Sequence, residues 1–258
     1  MKSSVVSVII PTYNMGGKIE RAIESVLAQS YSPIEVMVVD DGSVDDTAAR
    51  VKECSLEYYF QQNRGRAAAL NLAIEKAQGE YVAVLDADDT LPGDSVSRRV
   101  AFLERGFDAV FGDTNYLDAS GEIYHVRRPG FFGNQEELAR RFVGGLQSPF
   151  SLATVLYRKE VFAQCGLFDE TLKRSEDIDL AIRLLTYSKV GYLPQAVYNY
   201  HVDTHSLGKR LRHRMISFQE RLKIIDKHFE GVDRWELVLR TAVVECLKVG
   251  YELVTQKR

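Results

Sequence analysis

The chain has 258 residues, with 33 Lys and Arg against 36 Asp and Glu, a net charge of −3. Hydrophobic residues make up 45% and charged residues 27%, globular proportions that exclude a disordered or fibrous chain and allow a full core without staples. A chain this close to neutral does not coat nucleic acid through bulk charge, so no nucleic-acid partner is expected. Cys54, Cys165 and Cys246 are odd in number and widely spaced. They suit neither a disulfide framework nor a zinc site, and they predict a reducing, cytoplasmic setting. The apolar run at 5–10 is too short for a secretory leader, and nowhere do about eighteen apolar residues run together to span a membrane.

Residues 5–10 form a continuous apolar strand that meets Pro11. Ile19, Ala22, Ile23, Val26 and Leu27 then fall at helical spacing within 18–29. A second buried strand at 34–39 runs into Asp40-Asp41-Gly42-Ser43, where Ser43 and Asp46 make a capping-box pattern for the next helix. A third strand is predicted at 56–60, a helix at 66–77 ended by Gly79, and a fourth strand at 81–85. Apolar strands joined by helices predict a mostly parallel α/β sheet covered on both faces.

After about residue 106 the pattern changes. A strand at 108–113 precedes a hairpin over 116–126 that turns at Gly121, helices near 135–143, 158–164 and 176–187, and a short strand at 197–202. From 209 onward the chain reads as amphipathic helix broken near Gly231. No linker is visible. The expected organisation is a catalytic domain at 1–208, with a nucleotide-binding half at 1–105 and an acceptor half at 106–208, followed by helices at 209–258.

Ligands bind parallel sheets outside the carboxyl ends of the strands, and the polar clusters of this chain fall there. Asp86 and Asp88 are two residues apart at a strand end, so both side chains point one way. They suit Mg²⁺ or Mn²⁺ through hard oxygen donors, or a solvated acidic turn. Asp40 and Asp41 can accept from a base N–H or a ribose hydroxyl, or cap a helix. Tyr13 offers a ring for stacking on a base, or a half-buried side chain. Asn63-Arg64-Gly65-Arg66 opens a helix, where amides and guanidinium groups favour anions. Glu176, Asp177 and Asp179 crowd the first turn of a helix; the dipole explains some of them, and a carboxylate there is also a candidate general base. His201 and His205 follow the last strand as candidate ligand contacts.

Six segments resemble family 2 glycosyltransferases of the GT-A fold: S-V-I-I-P-T-Y-N at 7–14, V-V-D-D-G-S at 38–43, N-R-G-R-A-A-A-L-N at 63–71, L-D-A-D-D at 85–89, G-L-F-D-E at 166–170 and E-D-I-D-L at 176–180. They occur in the family's order between residue 5 and about 207. The resemblance implies a Rossmann-like GT-A sheet flanked by helices and an inverting, metal-dependent transfer of one sugar. The donor is a nucleotide-diphosphate sugar, with a UDP- or TDP-sugar favoured, and the acceptor a glycan or a lipid-linked glycan. It assigns nucleotide contacts to Pro11, Tyr13, Asp41, Asn63, Arg66 and Asp86, the metal to Asp88 and the catalytic base to Asp177. Glu176, His201 and His205 are further candidates. Two departures stand out: Leu70 where the family often has Arg, and Tyr200-His201-Val202-Asp203 where Tyr-Arg-x-His often follows the last strand. The Q-x-x-R-W motif of processive synthases is absent, which implies a non-processive enzyme. A sugar-1-phosphate nucleotidyltransferase and a non-catalytic nucleotide-sugar-binding module are the alternatives.

In the tail, Leu211, Met215, Phe218, Leu222, Ile225 and Phe229 repeat at helical spacing, as do Trp235, Leu239, Ala242, Cys246, Val249 and Leu253. The stripes predict an antiparallel helical pair that packs on the catalytic domain or on itself. The basic cluster Lys209, Arg210, Arg212 and Arg214 adds two further readings, a peripheral membrane contact and a homodimer.

Overall fold

The computed structural model describes residues 4–54, 56–129, 134–144, 148–202 and 207–255; side chains are described within these except at 207–215, 232 and 246–255. The first half alternates as the apolar runs dictate: β1 (Val6–Thr12), α1 (Gly16–Leu27), β2 (Ile34–Asp40), α2 (Thr47–Glu53), β3 (Glu57–Phe60), α3 (Arg66–Lys76), β4 (Tyr81–Val84) and α4 (Ser95–Leu103). The second half follows with β5 (Ala109–Leu117), β6 (Ile123–Arg127), α5 (Gln135–Gly144), β7 (Leu156–Arg158), α6 (Val161–Cys165), α7 (Glu176–Tyr187), β8 (Val190–His201), α8 (Leu207–His228) and α9 (Gly231–Thr255).

These strands form one mixed sheet in the order β3-β2-β1-β4-β7-β5-β6, with β8 beside β5. β1, β2, β3 and β4 are parallel, β7 runs antiparallel between β4 and β5, and β8 is parallel to β5. All of β1–β5 and β8 therefore end on one edge. One face of the sheet is packed by α1 and α4 through Ile19, Ile23, Val96 and Val100. The other is packed by α3, α5 and α7 through Leu70, Ile74, Phe142 and Leu180. Each side buries apolar surface at ~25 cal/mol per Å² removed from water.

Several boundaries differ from the sequence reading. Ser43 does not cap α2; its hydroxyl accepts from Asn14 N at 2.8 Å, while Asp45 accepts from Thr47 N at 3.0 Å. Both α4 and the three-residue β7 arise where no periodicity marked them. The last strand begins at Val190, well before the expected 197, because it pairs with β5 along its whole length. Gly79 lies beyond the end of α3, pressed so closely on β1 that an added Cβ would sit 2.7 Å from Ser7 N.

The tail forms the two expected helices; on α8 the stripe residues Leu222, Ile225 and Phe229 pack on the core, whereas on α9 the buried face differs from the stripe. On α8 the buried positions are Glu220, Arg221, Ile224 and Ile225, so the packed face is half polar; Leu211 and Met215 lie outside the described side chains. On α9 Leu237 and Thr241 are buried, whereas Trp235, Leu239 and Val243 are exposed. Among the described residues, no helix is long and apolar enough to cross a membrane.

Candidate active site

An open cleft of about 460 Å³ runs along the carboxyl edge of the parallel strands. Pro11, Thr12, Tyr13 and Met15 line it from the end of β1, Asp41 from β2, and Asn63, Arg66 and Ala69 from the entry to α3. Asp86, Ala87 and Asp88 follow from β4, and Arg174 from the loop before α7. All six expected nucleotide contacts and the expected metal ligand thus share one cavity. Glu176 and Asp177 stand beside it at the start of α7, linked to it through Arg66. His205 lies outside the described residues.

Hydrogen bonding separates the neighbouring acids. Asp40 is fully buried and accepts from Ser43 N at 2.7 Å and the Tyr58 hydroxyl at 2.8 Å, a structural role. Asp41 accepts from Gln61 Nε2 at 2.7 Å, Arg64 N at 2.8 Å and Gly65 N at 2.9 Å, and so pins the loop that carries Asn63 against β2. That close approach needs Gly42, whose φ is +88° and whose added Cβ would meet Asn63 N at 2.9 Å. Tyr13 leaves its ring half exposed at the mouth.

The strand-end acids after β4 split in the same way. Asp89 is buried, accepting from the Tyr198 hydroxyl at 2.7 Å and His201 N at 2.8 Å, and burial pushes its carboxyl up to about 7. His201 turns its ring to Thr90, with Nε2 3.2 Å from the hydroxyl, and burial holds its pKa below the ordinary value. Asp86 is paired to Arg66 Nη2 at 2.7 Å. The Asp88 side chain is partly exposed and makes no hydrogen bond among the described residues; its carbonyl accepts from Arg21. No cluster of three or more His, Cys, Asp or Glu side chains able to hold a metal occurs among the described residues. One or two carboxylates completed by phosphate oxygens are a donor set that Mg²⁺ accepts, and Asp88 with Asp86 fits it.

Arg66 opens α3 with its guanidinium shared between Asp86 and, at 3.4 Å, Glu176. Burial opposes its charge, but the two carboxylates outweigh that and raise its pKa. Leu70, one turn on, is wholly buried, so the departure from the family motif places an apolar side chain in the core. Asn71 binds the backbone of Phe168 in both directions, at 2.9 Å each, tying α3 to the G-L-F-D-E segment.

Of the three acids on α7, Asp179 is entirely buried and bonded to Arg183, Lys227 and His228. Burial works against its charge, yet these partners hold it well below the usual carboxylate range. The buried Glu176 spends one oxygen on Arg66 and leaves Oε2 without a hydrogen-bond partner among the described residues. Asp177 is pushed up to about 6 by burial and by Glu176, against the pull of Arg66 and Arg221.

The segment before α7 is seated on α8. Glu220 accepts from Lys173 N at 2.7 Å and Arg174 N at 3.0 Å, Ser217 meets Ser175 at 3.2 Å, and Arg221 donates to the Phe142 and Val143 carbonyls. Sequence reasoning missed Arg174 and Glu220. Arg174 sits in a loop without periodicity, and Glu220 has the spacing of any surface acid on an amphipathic helix.

The model for the family described as glycosyl transferase family 2 matches residues 7–166. The chain belongs to that family. An uncharacterized glycosyltransferase of Rickettsia felis is 33% identical over 193 residues, covering 72% of this chain and 31% of the relative. Glycosyltransferase GlyG of Streptococcus pneumoniae is 29% identical over 214 residues, covering 77% and 71%. The chain thus spans about a third of the length of three of the Rickettsia relatives and 61% of two others. Among solved structures, S. aureus TarS 1–349 matches with a TM-score of 0.65 at 21% identity, over 92% of this chain and 70% of that one. A mannosyltransferase of Pyrobaculum calidifontis, solved with GDP-Man and Mn²⁺, matches at 0.62 and 22% identity over 93% and 69%. These likenesses show the fold, a GT-A-type mixed sheet with helices on both faces.

Proposed function

We propose that this glycosyltransferase moves a single sugar, with inversion, from a nucleotide-diphosphate donor to an acceptor hydroxyl. The observation that carries the reading is the pairing of one cleft holding Tyr13, Asp41, Arg66, Asp86 and Asp88 with a carboxylate beside it, Asp177, raised to about 6. Tyr13 stacks on the base, and Asp41 accepts from it. Asp86 meets the ribose, Pro11 and Asn63 border the nucleotide, and Arg66 faces the diphosphate from the start of α3. Asp88 would hold Mg²⁺ or Mn²⁺, which when bound supplies Lewis-acid stabilisation of the charge on the departing nucleoside diphosphate. Asp177 accepts the proton of the acceptor hydroxyl as that oxygen attacks the anomeric carbon from the face opposite the leaving group. The bond to the diphosphate oxygen breaks with its electron pair, and burial stabilises the neutral carboxyl that results. Ordering the acceptor oxygen against that carbon lowers the barrier further.

The donor is proposed to be a UDP- or TDP-sugar and the acceptor a glycan or lipid-linked glycan reached from the cytoplasm. The TarS fragment was also solved with UDP-GlcNAc. Free thiols at Cys54 and Cys165 suit a reducing compartment. The exposed Trp235, Leu239 and Val243 of α9 and the basic residues 209–214, whose side chains lie outside the described set, support a peripheral contact with an anionic membrane.

Incubation with a panel of nucleotide sugars and Mn²⁺ tests the reading. Release of nucleoside diphosphate and a product of inverted anomeric configuration are expected. Pyrophosphate release would make it a nucleotidyltransferase, and binding without turnover a non-catalytic module.

A further inference from the structure

Beyond the cleft, the outer parts of β5, β6 and β8 carry a row of aromatic rings at the same carboxyl edge. Tyr116 of β5 stands opposite Tyr200 of β8 and opposite His125 of β6, and directly opposed residues share a face of the sheet. Ring centroids lie 5.1 Å apart for Tyr116 and Tyr200, 5.5 Å for Tyr116 and His125, and 6.4 Å for Tyr116 and Tyr124. The row is open to solvent, with Tyr200 41% and Tyr124 59% exposed.

Its inner end meets the loop after β4, at the buried Asp89 and the backbone of the cleft residue Asp86. Tyr198, two residues before Tyr200 and therefore on the same face, donates to Asp89 at 2.7 Å and accepts from Asp86 N at 3.3 Å. The Tyr200 phenol feels the same loop: burial raises its pKa, and Asp89 and Asp88 add to the effect. From there the row crosses two strand spacings, roughly 10 Å, toward the sheet edge.

Flat rings rimmed by hydroxyl and imidazole groups suit a ligand with one apolar C–H face and a polar circumference. A pyranose ring has that form, and the span of the row accommodates about two of them. We propose that Tyr200, Tyr116, Tyr124 and His125 form a ledge that stacks the non-reacting sugar units of an oligosaccharide acceptor. This rests on the transferase reading above and specifies its acceptor as carbohydrate at the units next to the reacting hydroxyl.

The test is an array of defined oligosaccharides probed with the full chain in the presence of UDP and Mn²⁺, with nucleotide-induced thermal shifts measured in parallel. The wild type should retain a subset of the glycans. Tyr200→Ala and the edge-strand variant Tyr124→Ala should each lose roughly two- to tenfold in apparent affinity, and Tyr200→Phe should keep most of it. With a retained glycan as acceptor, the alanine variants should raise its KM while the thermal shift with UDP and the rate of donor hydrolysis stay at wild-type values. Alanine variants that bind like the wild type overturn the ledge, as does a wild-type protein that binds UDP and no glycan. A wild type that binds no nucleotide overturns the transferase reading instead.

Discussion

Asp177 offers the sharpest test of the mechanism, because its pKa sets the acid limb of the pH–rate profile. A general base accepts a proton only when ionised, and kcat/KM reports the pKa of the free enzyme. With the carboxyl at about 6, roughly nine-tenths is ionised at pH 7 and roughly one-tenth at pH 5. Activity should therefore rise about tenfold between those values and level off above pH 7. Burial and Glu176 push the carboxyl up, so Glu176→Gln removes one cause and moves the limb to lower pH. Asp177→Asn keeps the shape and removes the acceptor, with an expected loss of ~10²- to 10⁴-fold in kcat and little change in nucleotide affinity. The assay is nucleoside diphosphate release against pH for the three proteins. A limb that stays put in Glu176→Gln refutes the electrostatic argument. A fall in nucleotide affinity as large as the fall in kcat makes Asp177 a donor ligand or a helix cap.

Asp88→Ala should leave the fold intact, since the side chain makes no hydrogen bond among the described residues, and should abolish Mn²⁺-dependent donor binding. In a thermal-shift assay the wild type gains ~2.7 kcal/mol from ligand at a hundred times its Kd, a gain the variant should lack. Glu220→Ala strips the acceptor from Lys173 N and Arg174 N at a cost of ~1–3 kcal/mol per unsatisfied group. Its kcat should fall while nucleotide affinity is kept, with partial recovery in Glu220→Gln; an unchanged kcat would show that this segment needs no support from α8. In liposome sedimentation, anionic vesicles should retain the protein at low salt, at ~1 kcal/mol per basic residue near the surface. Leu239→Glu should weaken that retention, and equal, negligible binding to neutral and anionic vesicles would remove the membrane contact.

Legibility in the sequence follows the range of the interactions. Apolar runs at 5–10, 34–39 and 81–85 are strands because a strand buried on both faces must be apolar throughout, and the helices between them oblige those strands to run parallel. Once they do, their carboxyl ends share an edge, so the residues that follow each run meet without any knowledge of tertiary contacts. Tyr13, Asp41, Asn63, Arg66, Asp86 and Asp88 were readable for that reason. What the local pattern cannot carry is the choice among chemically equal neighbours. Glu176, Asp177 and Asp179 read alike on one helical turn; Arg66, 110 residues from Glu176, and Lys227 and His228 on α8 decide which is an ion-pair partner, which a buried anchor and which stands at the cleft with a raised pKa. The antiparallel β7 has three residues, too few for any period, and exists because β4 and β5 each offer it an open edge. On α9 an apolar count selects the wrong face, and on α8 it misses the polar half of the buried one. Glu220 and Arg221 are buried because backbone groups from two distant segments bond to them, whereas Trp235 and Leu239, apolar as they are, stay largely exposed. Burial of a polar side chain depends on partners that only the folded chain brings within hydrogen-bonding distance.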